Sequence, residues 1–308
     1  MDWTQGIQNA IEYIESHLTE EIDYEKVAKV AYSSSFHFQR VFGIMCGITL
    51  GEYIRRRRLT LAGGELLYNN VKVIDVAFKY GYDTPESFSR AFTKFHGIKP
   101  SQVKQNCSLN SFSKLSIKTD LIGGNEMNYK IKEIPEVILV GFKKHFSGVP
   151  YGEERSKQEE AFIASTRAKQ WLLIGASSDY SKDYCIITNI DDNGYDFYLA
   201  YELDAWTRQE LYNPQTTGIE FMDKLGFETL VIPKTLCAIF ETNKKKRPIG
   251  DYIDIRKKII TEWLPSSDYM LANLPEVVVM HWRPNGMWEK ERYIEICLPV
   301  EKNLKVKV

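Results

Sequence analysis

The chain has 308 residues, 44% of them hydrophobic and 26% charged, which favours two globular domains over one core or a disordered chain. The net charge of −1 does not by itself indicate a nucleic-acid partner. The apolar runs are too short to cross a bilayer, the first residues carry no apolar block, and the five cysteines are scattered, so we expect a cytoplasmic protein without membrane contact, bound metal or disulfide framework.

The first forty residues have the outline of a helix-turn-helix. An opening helix is predicted from apolar residues spaced by three and four, namely Ile7, Ala10, Ile11, Ile14 and Leu18. Asp23 is a plausible N-cap for a short helix over residues 24–31, and a second helix follows three serines. Two short helices joined by a tight turn are typical of DNA-binding motifs, although such hairpins also occur in other helical proteins.

The same outline occurs twice. Shifting the sequence by fifty positions aligns four pairs of residues, which are Tyr32 with Tyr82, Phe38 with Phe88, Arg40 with Arg90, and Phe42 with Phe92. Ser33 or Ser34 can cap the first of the two recognition helices, and Asp83 or Thr84 the second. An internal repeat of this kind indicates one supersecondary unit built twice.

A longer helix over residues 50–67 is predicted between the two units, where it would fix the spacing of their recognition helices. Its four consecutive arginines, residues 55–58, form the strong basic cluster of this half. Arg55 and Arg57 are predicted to contact phosphates, with a solvated helix face as the alternative.

Several motifs in this half resemble the AraC/XylS family of transcription regulators. They are Arg58-Leu59, Val73-Ile74-Asp75-Val76-Ala77, Gly81-Tyr82, Ser87-Phe88-Ser89-Arg90-Ala91-Phe92 and Gly97-Ile98-Lys99-Pro100-Ser101. The resemblance covers about residues 1–103 and implies a pair of helix-turn-helix units that bind double-stranded DNA, with RNA polymerase as a further partner. By position in the motif, the groove-facing residues are Ser35, Phe36, His37, Gln39 and Arg40 in the first unit, and Thr84, Glu86, Ser87, Ser89 and Arg90 in the second.

The chemistry of these side chains favours some contacts over others. Arginine can bond guanine in bidentate fashion, Gln39 can bond adenine, and Phe36 can contact a thymine methyl group. Glu86 must accept from cytosine or remain in solvent. Arg40 and Arg90 recur in the repeat, so phosphate binding or pairing with an acid inside each unit are equal alternatives.

The second half has a mixed pattern of strands and helices. Residues 108–126 are predicted to be a linker between domains at 1–107 and 127–308. Strands are predicted at 129–142, 183–190, 196–203, 227–241, 276–282 and 292–300, and helices at 153–171 and 249–263. This order repeats a β-α-β-β module, so the predicted fold is an all-α double helix-turn-helix domain followed by an α+β domain with one antiparallel sheet and a cleft at its pseudo-twofold axis.

This half resembles the GyrI-like effector-binding domain. The best-matched residues are Ile260-Thr261-Glu262-Trp263-Leu264-Pro265 and Ile294-Glu295-Ile296-Cys297-Leu298-Pro299-Val300. The resemblance implies a small-molecule effector. The family has an acid-x-aromatic pair on its penultimate strand, where this chain has Met280-His281-Trp282, so the acid expected to bind a cation is missing there.

Aromatic density predicts the residues that line the effector cleft. The candidates are Tyr198, Tyr201, Trp206, Trp263, Trp282, Trp288 and Tyr293, with Glu202 and Glu295 as acids that could meet a cation. His281 stands among apolar residues and is interpreted as a structural histidine.

These patterns favour a transcription regulator that binds a small aromatic or cationic effector, and we expect neither enzyme activity nor a cofactor. Two alternatives stay open for the second domain. It could be a hydrolase of reactive small molecules, for which Glu295, Glu202 or Glu289 could supply the carboxylate. It could also be a module that binds and inhibits another protein.

Overall fold

A computed structural model describes residues 3–68, 71–103, 108–116, 127–150, 153–213, 215, 217–282 and 291–302. The chain divides into two compact units, Met1–Leu121 and Ile122–Val308. Among the described residues, every helix is too short or too polar to span a bilayer.

The first unit is helical. Its helices are α1 (Trp3–Ser16), α2 (Tyr24–Val30), α3 (Ser35–Cys46), α4 (Leu50–Tyr68), α5 (Val73–Lys79) and α6 (Pro85–His96), followed by a 3₁₀ turn at Pro100–Gln102. The order α2–α3 and α5–α6 is the predicted repeat, and α4 is the predicted connecting helix.

Polar caps set where the short helices begin. The Asp23 carboxylate accepts a hydrogen bond from the Glu25 N–H (2.9 Å), and the Ser34 and Thr84 hydroxyls accept from the backbone three residues on (3.4 and 3.2 Å). Both recognition helices end at a glycine with left-handed backbone, Gly47 (φ +76°) and Gly97 (φ +78°). The caps therefore confirm that one unit is built twice.

The start of the predicted linker packs against this helical unit. The Phe112 N–H donates to the Thr60 hydroxyl (2.9 Å), and the Asn110 side chain donates to the Phe95 carbonyl (2.6 Å). Leu109 packs on the core of the second helix-turn-helix. Residues 108–116 of the predicted linker thus include several that contact the helices, and residues 117–126 lie outside the described part of the chain.

The second unit combines one antiparallel sheet with helices. Its strands are β1 (Tyr129–Ile134), β2 (Val137–Ser147), β3 (Lys182–Thr188), β4 (Gly194–Glu202), β5 (Glu228–Ile232), β6 (Thr235–Glu241), β7 (Tyr269–Leu271), β8 (Val277–His281) and β9 (Tyr293–Lys302). Its helices are α7 (Glu153–Ser165), α8 (Arg167–Gly175), α9 (Ala205–Leu211), α10 (Gly218–Leu225), α11 (Ile249–Lys258), a π-helical turn (Ile259–Trp263) and α12 (Leu264–Ser266). The α+β class is confirmed, whereas α9, α10 and β7 were not predicted.

Two predicted strands are each split in two at a proline. The segment at 129–142 divides into β1 and β2 at Pro135, and the segment at 227–241 divides into β5 and β6 at Pro233. Proline lacks an N–H and therefore interrupts a hydrogen-bonded ladder. The single strands predicted there are wrong, and so is the single helix at 153–171, which is α7 followed by α8.

The sheet order shows the duplication directly. The strands run β1-β6-β9-β8-β3-β4-β2-β5, with β7 beside β9. The order is symmetric about the β8–β3 junction, because β1 and β5, the first strands of the two modules, each pair at the edge of the other module.

The helices cover one face of this sheet. Phe162 of α7 packs on Phe142, Phe146 and Phe197 of the strands, and Trp263 packs on Phe240. The side chains that alternate with these along the strands form an apolar cluster on the opposite face, where the cavity described below opens.

Candidate DNA-binding and effector-binding sites

The first recognition helix, α3, presents a small polar surface. Ser35, Phe36 and Gln39 are half-buried. The Gln39 amide donates to the Ser35 hydroxyl one turn earlier (3.3 Å), so the two side chains lie on one face of the helix. These three residues remain the candidates from α3 for contact with a groove.

His37 and Arg40 do not belong to that surface. Their side chains are 5% and 4% exposed, within the helical core. A side chain buried to this degree cannot reach a base edge without separating α3 from its neighbours. The prediction that they face the groove is therefore corrected, and Arg40 lies inside the helical unit.

The second recognition helix, α6, is more open. Glu86 and Arg90 are exposed, and Ser87 and Ser89 are half-buried. Thr84 is exposed as well, but its hydroxyl accepts the Ser87 N–H and so serves as the N-cap. Arg90 thus remains an exposed candidate from α6 for contact with a groove.

The arginines of α4 mostly serve the helical unit itself. Arg57 is 12% exposed and bonds Glu15 through two nitrogens (2.8 and 2.9 Å), and it also donates to the Phe112 carbonyl (2.5 Å). Phosphate contact by Arg57 is therefore corrected to a bidentate ion pair between helices.

The neighbours of Arg57 differ in exposure. Arg55 is exposed and pairs with Glu52 on its own helix, so it is the arginine of the predicted pair that stays available to a phosphate. Arg58 donates from Nε to the Leu18 carbonyl (2.8 Å) and from Nη2 to the Glu20 carbonyl (2.6 Å), and its guanidinium also lies against Gly81. Arg58 thereby joins the α1–α2 connection to the second helix-turn-helix.

In the second unit, a cavity of about 200 Å³ opens on the sheet face away from the helices. Its walls are mainly apolar side chains from both modules, including Leu139, Ile232, Ile239, Val277 and Val279, and its polar groups are Lys132, Lys182, Tyr184, Thr235, Cys237, His281, Glu295 and Cys297. A largely apolar cavity with a few convergent polar groups has the chemistry of a small-molecule site.

Glu295 is the acid of this cavity. Its Oε2 lies 3.4 Å from Nε2 of His281, and the Cys297 thiol donates to its Oε1 (3.5 Å). The His281 imidazole holds the pKa of the Glu295 carboxyl below its usual value despite burial, which would raise it. Glu295 is therefore a carboxylate at neutral pH. Tyr293 stacks on His281 with ring centroids 3.9 Å apart and planes inclined by 7°.

A second acid stands near the first on the same face. Tyr184, which lines the cavity, donates to the Glu202 carboxylate (3.5 Å), and Tyr198 donates to Glu228 (3.2 Å). Burial raises the pKa of the Tyr184 phenol above its ordinary value, so its hydroxyl stays protonated. Glu202 and Tyr198 thus lie on the predicted face, beside the cavity rather than in its wall.

Three aromatic candidates are placed elsewhere by the structure. Tyr201 alternates with Ala200 along β4, so it faces the helices and is buried there. Trp263 packs on Phe240 in the helix-covered core. Trp206 lies on α9 with 72% of its surface exposed, outside the cavity wall. These three predictions are corrected.

The other two tryptophans are separate cases. Trp282 follows β8 and carries the Arg292 guanidinium 5.3 Å over its ring, outside the cavity wall. Trp288 and Glu289 lie outside the described residues.

Sequence reasoning missed several cavity residues. Tyr184, Cys237, Cys297 and His281 all line the wall, and His281 had been interpreted as structural. The signal was the two-residue alternation along β8 and β9, which places His281 on the face of Val277 and Val279, beside Glu295 of the neighbouring strand.

Two helix-turn-helix units followed by a cavity-bearing sheet define the class of helix-turn-helix proteins with an appended ligand-binding domain. Residues 127–301 match the family described as the GyrI-like small molecule binding domain, and residues 27–106 match a helix-turn-helix domain family. The chain belongs to the GyrI-like family and carries an AraC-type helix-turn-helix domain, which confirms both resemblances.

Named relatives match the helical part. The uncharacterized HTH-type transcriptional regulator YbfP of Bacillus subtilis is 39% identical over 100 residues, which are 32% of this chain and 34% of YbfP, so the match spans only a third of that relative. The regulatory protein SoxS of Salmonella typhimurium is 38% identical over 104 residues, 34% of this chain and 97% of SoxS. Among solved structures, SAV2435 bound to tetraphenylphosphonium is 13% identical with a TM-score of 0.42, over 57% of this chain and 94% of that one.

Proposed function

We propose that this chain is a transcription regulator that binds duplex DNA through α3 and α6 and responds to a small aromatic cation bound in the sheet cavity. The observation that carries the proposal is one carboxylate, Glu295, set in a mainly apolar cavity of a chain that also holds two helix-turn-helix units. Duplex DNA, the small molecule and RNA polymerase are the proposed partners.

On the DNA side, the proposed contacts are the side chains that remain accessible. They are Ser35, Phe36, Gln39, Arg55, Glu86, Ser87, Ser89 and Arg90. Gln39 and Arg90 have the donor patterns that distinguish adenine and guanine, whereas Arg55 carries only charge to a phosphate.

On the effector side, the proposed contacts divide by chemistry. Glu295 meets the positive charge, Tyr184 adds an aromatic ring to the wall, and the valines of β8 bury the apolar part, while Tyr293 lies outside the wall and stacks on His281. Binding in a mostly apolar site strengthens the charge contact because little water competes for the carboxylate. Binding that favours one conformation of the chain would then change its affinity for DNA.

The two cavity thiols are unsuited to act as nucleophiles. Burial, with Glu295 beside it, raises the pKa of the Cys297 thiol far above its ordinary value, and burial raises the pKa of Cys237 to about 11. Both thiols stay protonated, so neither is activated as a nucleophile for hydrolysis.

The proposal is tested by competition on DNA. The full chain is bound to a labelled duplex from upstream of its own gene, at physiological salt, against random duplex of equal length. We expect preferential binding that changes when an aromatic quaternary ammonium ion is added, and a Glu295→Gln variant that binds DNA but loses that response. Equal binding to both duplexes with and without the ion would overturn the proposal.

A further inference from the structure

His281 lies in the cavity where an effector cation would have to be held. It is the last residue of β8 and is 8% exposed, with its ring stacked on Tyr293 and its Nε2 3.4 Å from the Glu295 carboxylate. At this distance a protonated imidazole would be a counter-ion for Glu295.

The other charged and titratable groups around this pair mostly have partners of their own. Lys182 of β3 is bonded to Asp179 (3.0 Å), and Glu241, which stands opposite Glu295 on β6, is bonded to Lys130 (2.7 Å). The remaining groups that face the pair are Tyr293 and Cys297 of β9, Tyr184 of β3, Glu202 of β4, Cys237 of β6, Lys132 of β1, and Lys244, whose ammonium lies 5.5 Å over the Tyr293 ring.

We propose that His281 and the effector cation compete for Glu295, so that binding of the cation expels the imidazole proton to water. This inference rests on the proposed function, because it concerns the charge balance of the same cavity. The exchange is balanced: an organic cation enters, His281 changes from imidazolium to neutral imidazole, and one proton leaves.

The competition follows from the number of charges in a poorly hydrated space. An imidazolium and an organic cation that share the Glu295 carboxylate repel each other, and this repulsion is costly at low dielectric. Loss of the proton removes this repulsion and leaves an uncharged imidazole in the wall, with its ring stacked on Tyr293. His281 is thus a titratable competitor beside Glu295, and it determines which charge state of ligand is accepted.

The sign of the pH dependence follows by linkage. A cation that binds only with proton release binds more tightly as pH rises, by up to about tenfold per pH unit while His281 is protonated in the free protein. A neutral ligand of the same shape leaves the His281–Glu295 pair intact and gains nothing from the rise.

The test uses matched ligands on the full chain. Phenyltrimethylammonium keeps its charge at every pH, and tert-butylbenzene is its neutral isostere. Titration calorimetry at about pH 5.5 and about pH 8, in buffers of different ionisation enthalpy, measures both affinity and protons released across the range where histidine titrates. We expect tighter binding of the cation and proton release approaching one at the lower pH, with neither effect for the neutral isostere.

Three variants sharpen the test, each checked for folding by circular dichroism at both pH values. In His281→Asn, cation affinity becomes nearly independent of pH. In Glu295→Gln, the preference for the cation over the neutral isostere is lost. His145→Asn is the matched control, because His145 pairs with Asp196 (3.0 Å) on the same sheet outside the cavity wall, and it should keep the wild-type pH profile.

The outcomes separate the two proposals. Cation binding that depends on Glu295 but shows no pH slope and no proton release would overturn the exchange at His281 while leaving the effector site standing. Binding of neither ligand at either pH would overturn the effector site, and the exchange with it.

Discussion

The two helix-turn-helix units have the same fold but present different recognition surfaces. Arg40 of α3 and Arg90 of α6 stand fifty positions apart in the repeat, and the first is buried while the second is exposed. The pair at positions 36 and 86 differs as well, because Phe36 is half-buried and Glu86 is exposed to solvent. A residue that recurs in the repeat therefore indicates a shared supersecondary structure but not a shared role. The two recognition helices, α3 and α6, present different surfaces.

The helix that joins the two units gives the largest expected effect. Replacing Arg57 by alanine leaves the Glu15 carboxylate without its bidentate partner in a part-buried setting, so we expect the free energy of unfolding to fall by about 3 kcal/mol. Arg55→Ala is the control, and since it removes only an exposed pair on one helix, it should change stability by less than about 0.5 kcal/mol. Urea denaturation measures both.

The same pair predicts how acid acts on the helical unit. Burial raises the pKa of Glu15, but its bonds to Arg57 and Tyr53 outweigh this and hold the pKa below the ordinary value. A depressed carboxyl pKa contributes stability above the unfolded value, and that stability is lost as pH falls through the folded value. Arg57→Ala should therefore make the unfolding free energy less sensitive to acid below about pH 5. If Arg57→Ala left the pH dependence of the unfolding free energy unchanged and weakened binding to all DNA, the prediction that Arg57 contacts phosphates would stand.

Arg40 and Arg90 test the asymmetry of the two units directly. Arg40→Ala removes a buried side chain and should lower the free energy of unfolding by about 2 kcal/mol. Arg90→Ala should change stability by less than about 0.5 kcal/mol and weaken binding to the preferred duplex by about 1–3 kcal/mol, with a smaller loss on random duplex. Chemical denaturation and fluorescence anisotropy separate the two effects. The reverse pattern, a stable Arg40→Ala that loses specific binding, would contradict the burial argument.

The helical unit was predictable from sequence because its determinants are local. Caps such as Ser34 and Thr84 and terminal glycines such as Gly97 act within one turn of the helix they bound. The sheet was less predictable, since its order depends on the exchange of β1 and β5 between modules. The sequence signal for this exchange was Pro135 and Pro233, where the chain passes from one module to the other.

The candidate sites divide in the same way. Exposure of Arg90 and burial of Arg40 depend on tertiary packing, which a repeat cannot reveal. Glu295 was identified from its charge, whereas its neighbour His281 was not, because they meet only through the register of β8 and β9. Aromatic density alone placed Tyr201 on the wrong face, where strand alternation counted from Tyr198 gives the right one.

The turns of the two units give the smallest expected effect and the finest comparison. Tyr32 has a left-handed backbone (φ +54°), and so has Gly81 (φ +76°). Each is the second residue after its helix, α2 or α5, so Tyr32 matches Gly81 in the structure and not Tyr82, with which the fifty-residue shift aligns it. A side chain costs about 1 kcal/mol in this conformation, and the greater freedom of glycine in the unfolded chain offsets about half of any gain. Tyr32 is exposed, so Tyr32→Gly should raise the free energy of unfolding by about 0.5 kcal/mol.

The reciprocal change at Gly81 should act in the opposite direction and more strongly. A Cβ there would lie 2.6 Å from Nη1 of Arg58, which must shift and strain its bonds to the Leu18 and Glu20 carbonyls. We expect Gly81→Ala to lower the free energy of unfolding by about 1 kcal/mol or more, and paired urea titrations of the two variants measure the difference. Because Arg58 joins the two units, Gly81→Ala should also weaken binding to the preferred duplex, whereas Tyr32→Gly should not. Equal and opposite stability changes with no effect on DNA binding would mean that only the local backbone matters at these turns and that the Arg58 contacts do not influence DNA binding.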